Sequence, residues 1–530
     1  MSTGPGLSPR ALVLVWLLPG PALAQPCTQT LSPGAGVASA LSSAQAGATI
    51  CLGSGSHGAV TLGSFTKSPR VTLRSVTGQG ATMSLSFSGT NGVTIDSVTV
   101  TGATLSGSTT RNITIQNTRF TGHVMFVDLA NSNVLFVNNT HNNIDGGGQY
   151  SSPARLHLAY SKPTHSGVTI KSSVMDGGSA DGVQTGVGVD IIGNVFSNIV
   201  EGSCSTCHTD AIQLLGAPDS VVRGNYIHDC ATGIVAYDGV ERATIEDNIV
   251  DTGGRPWAIE LYSDDSSVVR HNTLLYRSSC AYNLPCGILS LTRKTQDDPG
   301  FGTIVVDNIA TSIDVNMGST YAERHHNLLR SGAQSGDITG TPTFTGGTTP
   351  TTITGFVLAA GSPGKGAAWS PAGSDIGARA SVLSGCASAS DCDDKDPCTK
   401  DSCDPKTGSC SNVTIPGCGQ PDQGAGRVDG GTGDAGAADA GAPDSAPPVP
   451  DSGAGDDSGV EPPDLGPHGE SGDHGLIHDA GRQQREAGPQ SHGTDTSLDG
   501  GCTLAGAASS ATAASFLLVF LLMLWLVCRR

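Results

Sequence analysis

The stretch Val189–Asn272 holds four variants of one phrase: VDIIGNVFSNI from Val189, VVRGNYIHDC from Val221, ATIEDNIVDTG from Ala243 and VVRHNTLLYR from Val268. Each is a short β-branched run, a polar gap, an Asn and a second apolar pair. The asparagines fall at Asn194, Asn225, Asn248 and Asn272, so the period is 31, 23 and 24 residues. Such a period marks a solenoid, in which each unit buries its apolar side only against its neighbours.

The register extends upstream to Val98, Thr118, Asn139 and Ser173, and downstream to Asn308 and Asn327. A core period near 20 to 24 residues is too short for helical repeats. Runs of Val, Ile and Thr punctuated by Gly, Asn, Asp and Ser are strand-and-turn chemistry. Stacked at ~4.8 Å, such strands form parallel sheets around one continuous core. An Asn recurring at one turn would tolerate a left-handed backbone and pass amide hydrogen bonds up the stack. On these residues the chain resembles the right-handed parallel β-helix proteins of the pectate-lyase-like superfamily, over roughly Cys27–Arg379. The expected fold class is therefore all-β, a right-handed parallel β-helix over residues 25–385.

Before the helix, Arg10, the apolar run Ala11–Leu18 and the small residues up to Ala24 read as a secretory signal peptide, residues 1–24, cleaved after Ala24. Gly36–Ala46, with Val37, Ala40, Leu41 and Ala44 on one face, reads as a helix, and Thr49–Leu52 as the first strand. Members of this superfamily commonly begin with such a capping helix, and a solenoid end needs a cover because it exposes both core and strand edge. Cys27 and Cys51 flank the cap and are expected to form a disulfide in an exported chain. At the other end, Pro342–Phe344, Gly355–Leu358 and Asp375–Ala378 resemble a closing phrase of β-helix carbohydrate-active proteins. Their Gly, Ser and Pro neighbours are expected to make the turns of the last coils.

After Gly385 the composition changes. Cys386, Cys392, Cys398, Cys403, Cys410 and Cys418 fall within residues 386–418, an even number that implies three disulfides with connectivity open. Cys392–Asp404 resembles the Cys-rich repeat of slime-mould extracellular matrix proteins. Its acids, among them Asp393, Asp394 and Asp396, are of a type that suits calcium, although solvated charges on a small disulfide knot are the preferred reading. Residues 419–500 are Gly, Ala, Pro, Asp and Ser with almost no apolar bulk, so they cannot bury a core and are expected to form a disordered tether. Charge divides accordingly: 25 acids against 19 bases over residues 25–385, and 22 against 6 over residues 386–500. Most of the net charge of −19 thus lies in the tail, no basic patch points to nucleic acid, and none is expected as a partner.

Residues 501–530 carry Cys502, a small-residue lead, the run Phe516–Val527 and Arg529-Arg530. As a helix, Ala505–Val527 would span ~34 Å, enough for a bilayer core, with the arginines favouring the cytoplasmic side. This resembles the sorting tails of myxobacterial surface proteins, in which a Cys precedes the membrane segment. A retained transmembrane anchor and processing at Cys502 are both open, and either displays the helix at the outer cell surface.

The candidate site comes from the strand before each Asn phrase. Asp181–Gln184, Asp210–Gln213, Thr232–Val235, Trp257–Glu260 and Cys286–Leu289 align. With Val183, Ile212, Ile234, Ile259 and Ile288 inward, alternation puts Gly182, Ala211, Gly233, Ala258 and Gly287 outward as a small-residue floor. Beside it would run Gln184, Gln213, Val235, Glu260 and Leu289, and Tyr237 and Tyr262 would stack in a further column suited to the apolar face of a sugar ring. The competing reading is that these small residues only ease coil stacking.

Cys204, Cys207 and His208 have the Cys-x-x-Cys-His spacing of covalent haem attachment. The same His208 and Asp210 also belong to a His-x-Asp-x-x-Gln phrase, and Asp181-x-x-Gln184 repeats its Asp-x-x-Gln part without cysteines. The expectation is therefore no haem, with a disulfide among Cys204, Cys207 and Cys230 that leaves one thiol over. Cys280 and Cys286 are expected to close a loop. The function classes are then an enzyme on a polyuronate or similar extracellular polysaccharide, a non-catalytic adhesin that binds such a polymer, and a bare surface stalk. In the enzyme, a lyase, epimerase or hydrolase, Arg255 would neutralise a carboxylate and His208, Asp181 or Asp210 would act as acid or base. Lyases of this superfamily combine acidic calcium ligands with a Lys or Arg base, and the sequence does not present that full set.

Overall fold

The computed structural model describes residues 26–146, 154–159, 164–201, 209–294, 298–379, 399–404 and 409–414. The expected solenoid is present. Its strands are almost all parallel and fall into a 13-stranded sheet and a 21-stranded array that comprises two further faces. One coil runs Val221–Arg223 on the first face, Tyr226–His228 on the second and Thr232–Ala236 on the third. The next repeats this with Thr244–Glu246, Ile249–Asp251 and Trp257–Tyr262. Neighbouring coils pair like to like, as in Val222 with Ile245 and Ile234 with Ile259. Inward Val, Ile, Leu and Phe side chains form one continuous core from Leu31 to Leu329. The branched residues that weaken helices thus fill a surface that only stacked strands provide.

The Asn column is the corner between the first and second faces. Asn194, Asn225, Asn248, Asn272, Asn308 and Asn327 are buried, and each carboxamide oxygen accepts the main-chain N–H of the column residue one coil earlier, at 2.9–3.1 Å. Their Nδ2 groups donate onward, Asn225 to Asn248 at 3.0 Å and Asn248 to Asn272 at 2.9 Å. The left-handed backbone, however, is not at the asparagines. It is one residue before: Gly193 (φ 63°), Gly224 (66°), Asp247 (57°), His271 (53°), Asp307 (58°) and His326 (55°). The strained corner and the hydrogen-bonding ladder are thus separate tasks on adjacent residues.

The cap agrees with expectation: a helix at Val37–Ser43 buries Val37, Ala40 and Leu41, and Cys27 is bonded to Cys51. Cys280 is bonded to Cys286. Cys230 is a free, buried thiol, and burial pushes its pKa up to about 12. The closing phrase departs from expectation. Residues 340–379 do not complete the last coils but form a strap laid back over the outside of the second face. Phe344, Phe356, Leu358 and Ile376 pack there on Tyr226, Ile249, Ile309 and Leu328. The strap is bonded coil by coil: Trp369 N–H to Asp307 Oδ1 (2.7 Å), Ala378 N–H to Thr273 Oγ1 (2.9 Å) and the Arg379 guanidinium to Asp247. The cause is an outward column, Tyr226, Ile249, Thr273, Ile309 and Leu328, apolar at every position but Thr273, that would otherwise face water.

Separately, Thr399–Asp404 and Ser409–Thr414 form an antiparallel hairpin in which Cys403 faces Cys410. Ala24, Cys204, Cys207, His208, Cys386, Cys392, Cys398, Cys418, Asp393, Asp394, Asp396, Cys502 and the rest of residues 501–530, expected to form an anchor or sorting tail, lie outside the described residues. Among the described residues no helix is long and apolar enough to cross a membrane.

Candidate functional site

The third face carries the candidate site. Its strands put one outward position in register over seven coils: His157, Gln184, Gln213, Val235, Glu260, Ser290 and Asp314. Ser290 stands where Leu289 was expected. An irregularity between Trp257 and Ile259 slips the pairing by one, so that Ile259 meets Leu289 instead of Ile288. Gln184 Nε2 donates to Gln213 Oε1 and continues the column as a polar ladder.

The small-residue floor is not a floor. Ala211 and Ala258 are fully buried in the core. A Cβ built on Gly182 would strike the Phe196 ring, and one on Gly233 would lie 2.1 Å from the Ala258 carbonyl oxygen and 2.7 Å from Val250. These positions form the corner between the second and third faces, where two successive residues both turn inward and alternation fails. Ala211 and Gly233 therefore contact no polymer; close coil stacking requires their smallness.

The expected polar residues do converge. The Asp210 main-chain N–H donates to Asp181 Oδ1 at 2.8 Å, and the buried Asp210 carboxylate accepts from the Thr232 hydroxyl. Tyr237 and Tyr262 pack against each other with ring centroids 5.1 Å apart and planes tilted by 58°. Lys294, paired with Asp238, holds its ammonium 5.2 Å from the Tyr237 ring. Arg255 sits at the corner, its guanidinium donating to Glu201 at 3.2 Å and to the Tyr282 hydroxyl at 3.4 Å. Trp257 lies 5.7 Å from the Tyr282 ring. Glu201, Asp229, Arg255 and Tyr282 border an open cleft of about 660 Å³.

Glu260 is the group with unusual chemistry. Only 9% of it is exposed, and burial raises its carboxyl from the ordinary 4.5 to about 7. The Tyr262 hydroxyl bond opposes that rise, the Asp210 charge adds to it and Arg255 offsets it. Burial and, after it, the neighbouring Glu260 carboxylate drive the Tyr262 phenol well above its usual range. A carboxyl poised near neutrality can give or take a proton at working pH. In the sequence Glu260 stands out only as one polar residue in a column, because its burial depends on neighbours from other coils. His157, which extends the same column, is held below its ordinary value by burial. Glu201, 54 residues from its partner Arg255, carries no local signal. Among the described residues no group of three or more His, Cys, Asp or Glu side chains is arranged to hold a metal ion.

The fold and this face define a right-handed parallel β-helix protein. The family model described as a right-handed β-helix region matches residues 160–306, and the model of the Dictyostelium (slime mold) repeat matches residues 391–415. Similar solved structures include the PL6 family alginate lyase AlyGC (12% identity, 59% of this chain and 53% of that one, TM-score 0.39). Others are pectate lyase Pel9A (14%, 67% and 96%, 0.31) and the A-module of the Azotobacter vinelandii mannuronan C-5 epimerase AlgE6 (14%, 56% and 91%, 0.25). The match thus spans about half the length of the alginate lyase AlyGC. No curated protein matches the chain.

Proposed function

We propose that the third face binds and processes an extracellular acidic polysaccharide, with Glu260 as its acid–base group. The observation that carries this reading is the Glu260 carboxyl, raised to about 7 beside the Tyr237–Tyr262 pair. A carboxyl whose ionisation is opposed by burial and a neighbouring charge, set near Arg255 at an open cleft, is the kind of group proton-transfer sites use. The tyrosine faces suit sugar rings, and coils rising by ~4.8 Å space contacts at about one sugar unit each. Arg255 is the cation placed to meet a uronate, Gln184 and Gln213 supply hydroxyl partners, and Asp181 and Asp210 keep the site's negative field high. Export and display at the outer surface follow from the signal-like N-terminus and the apolar tail, and removal of residues 505–530 should release the protein into the medium.

The test is incubation of the full chain with a panel of acidic and neutral polysaccharides, reading retention together with new reducing ends and unsaturated products. Glu260→Gln should abolish product while leaving retention. Retention without product in the unsubstituted protein would leave a binding module, and neither retention nor product would overturn the reading.

A further inference from the structure

Between the strap and the second face lies a cavity of about 280 Å³, on a different face from Glu260. Its walls include Leu275 and Ile309 from the coils and Pro342 and Phe344 from the strap, with Tyr276 and Arg330 also lining it. Leu275, Ile309 and Phe344 are buried and give the cavity an apolar wall, while Tyr276, Arg330, Thr341, Thr348 and Thr349 form its exposed rim. The Arg330 guanidinium carbon lies 3.7 Å from the Tyr276 ring centroid. Among the described residues no carboxylate pairs with Arg330, whereas Arg242, Arg270, Arg277 and Arg324 are each paired with one. Stacking fixes the guanidinium plane and leaves its edge N–H groups for a planar anion, which they can grip with two parallel bonds.

We infer that this cavity is a binding site for a small aromatic carboxylate, its ring in the apolar chamber and its carboxylate on Arg330. A chamber of about 280 Å³ is near the lower end of small-molecule pockets. It also exceeds the ~150 Å³ at which an apolar cavity already admits a benzene-sized ring. Only the rim could bond a neutral sugar, whose hydroxyls find no partner on the apolar wall, and a long acyl chain exceeds the volume. Because both strap and coils form the walls, an occupant would clamp residues 341–349 to the helix.

The experiment titrates phenylacetate into the full chain by calorimetry, with neutral phenylacetamide as the comparison. Phenylacetate should saturate one site, bind at least tenfold tighter than the amide, and slow protease cleavage within residues 341–349. Arg330→Gln, at an exposed position, should weaken phenylacetate roughly tenfold or more and leave the amide unchanged. No saturable binding, equal affinity for acid and amide, binding insensitive to Arg330→Gln, or binding that leaves cleavage of the strap unchanged would each overturn the inference. The acid–amide comparison needs no variant, so the inference stays refutable if the substituted protein misfolds.

Discussion

Replacing Asn248 with Ala tests what the buried amide column contributes. Its Oδ1 accepts both the main-chain N–H and the Nδ2 of Asn225, each at 3.0 Å. Its Nδ2 donates to the Val222 carbonyl and to Asn272 Oδ1, each at 2.9 Å. The substitution deletes all four bonds inside a corner that water does not reach. Asn225 Nδ2 keeps the Ile191 carbonyl and Asn272 Oδ1 keeps the Asn248 N–H, so these two partners retain a bond. The Asn225 main-chain N–H is left buried without an acceptor, which costs about 1–3 kcal/mol, and three further bonds are worth about 1 kcal/mol each net. The expected loss is roughly 4–6 kcal/mol by urea denaturation of residues 26–379. Asn138→Ala, whose Nδ2 bonds to Asn117 at an exposed site and whose backbone is left-handed at φ 54°, should cost only about 1 kcal/mol, most of it the strain of a left-handed alanine. A loss below about 1 kcal/mol at Asn248 would show that the strands hold register without the amides, and would refute the reasoning.

Other perturbations probe the faces. Glu260 has a folded pKa above its unfolded 4.5, so the unfolded chain binds fewer protons between the two values, and stability should fall as pH rises from about 4.5 to about 7. Glu260→Gln should remove that fall, worth up to about 3 kcal/mol, and parallel pH–stability curves for the two proteins would contradict the assigned environment. Ala211→Trp, forced into a corner with no exposed surface, should prevent folding by circular dichroism; a folded protein with an accessible tryptophan would put Ala211 outside. Phe356→Ala empties the strap's contact with Tyr226 and Phe344, whose rings each lie 5.7 Å away. It should cost about 3–5 kcal/mol and speed hydrogen exchange in residues 340–379 before the coils, and uniform exchange would mean that strap and coils melt together.

The solenoid was legible in the sequence because its signal repeats. Asn194, Asn225, Asn248 and Asn272 occupy one physical environment, so period and corner both follow from spacing. The left-handed residue beside them was less visible, because Gly193, Gly224, Asp247 and His271 solve one backbone problem with three residue types. Alternation placed Gln184, Gln213 and Glu260 correctly but misplaced Ala211 and Gly233, since period 2 describes a straight strand and these residues sit at a bend. The strap escaped notice because turn-rich residues 340–379 read alike whether they close a coil or lie across several. The tuned carboxyl was invisible for a related reason: burial of Glu260 is a property of the assembled face, and no spacing encodes it.

The strap also decides where load enters the molecule. Its last described residue, Arg379, is bonded to Asp247, and the coils of Asn272, Asn308 and Asn327 lie beyond that point toward the C-terminal end. A pull on the following chain therefore reaches the solenoid on its flank, about 14 Å short of the tip if coils rise by ~4.8 Å. Tension cannot begin by unzipping the final coil one hydrogen bond at a time. It must first shear Arg379 from Asp247 and draw Ile376, Leu358 and Phe356 off the wall, so against a pull on Arg379 the strap would act as a strain relief for the coils.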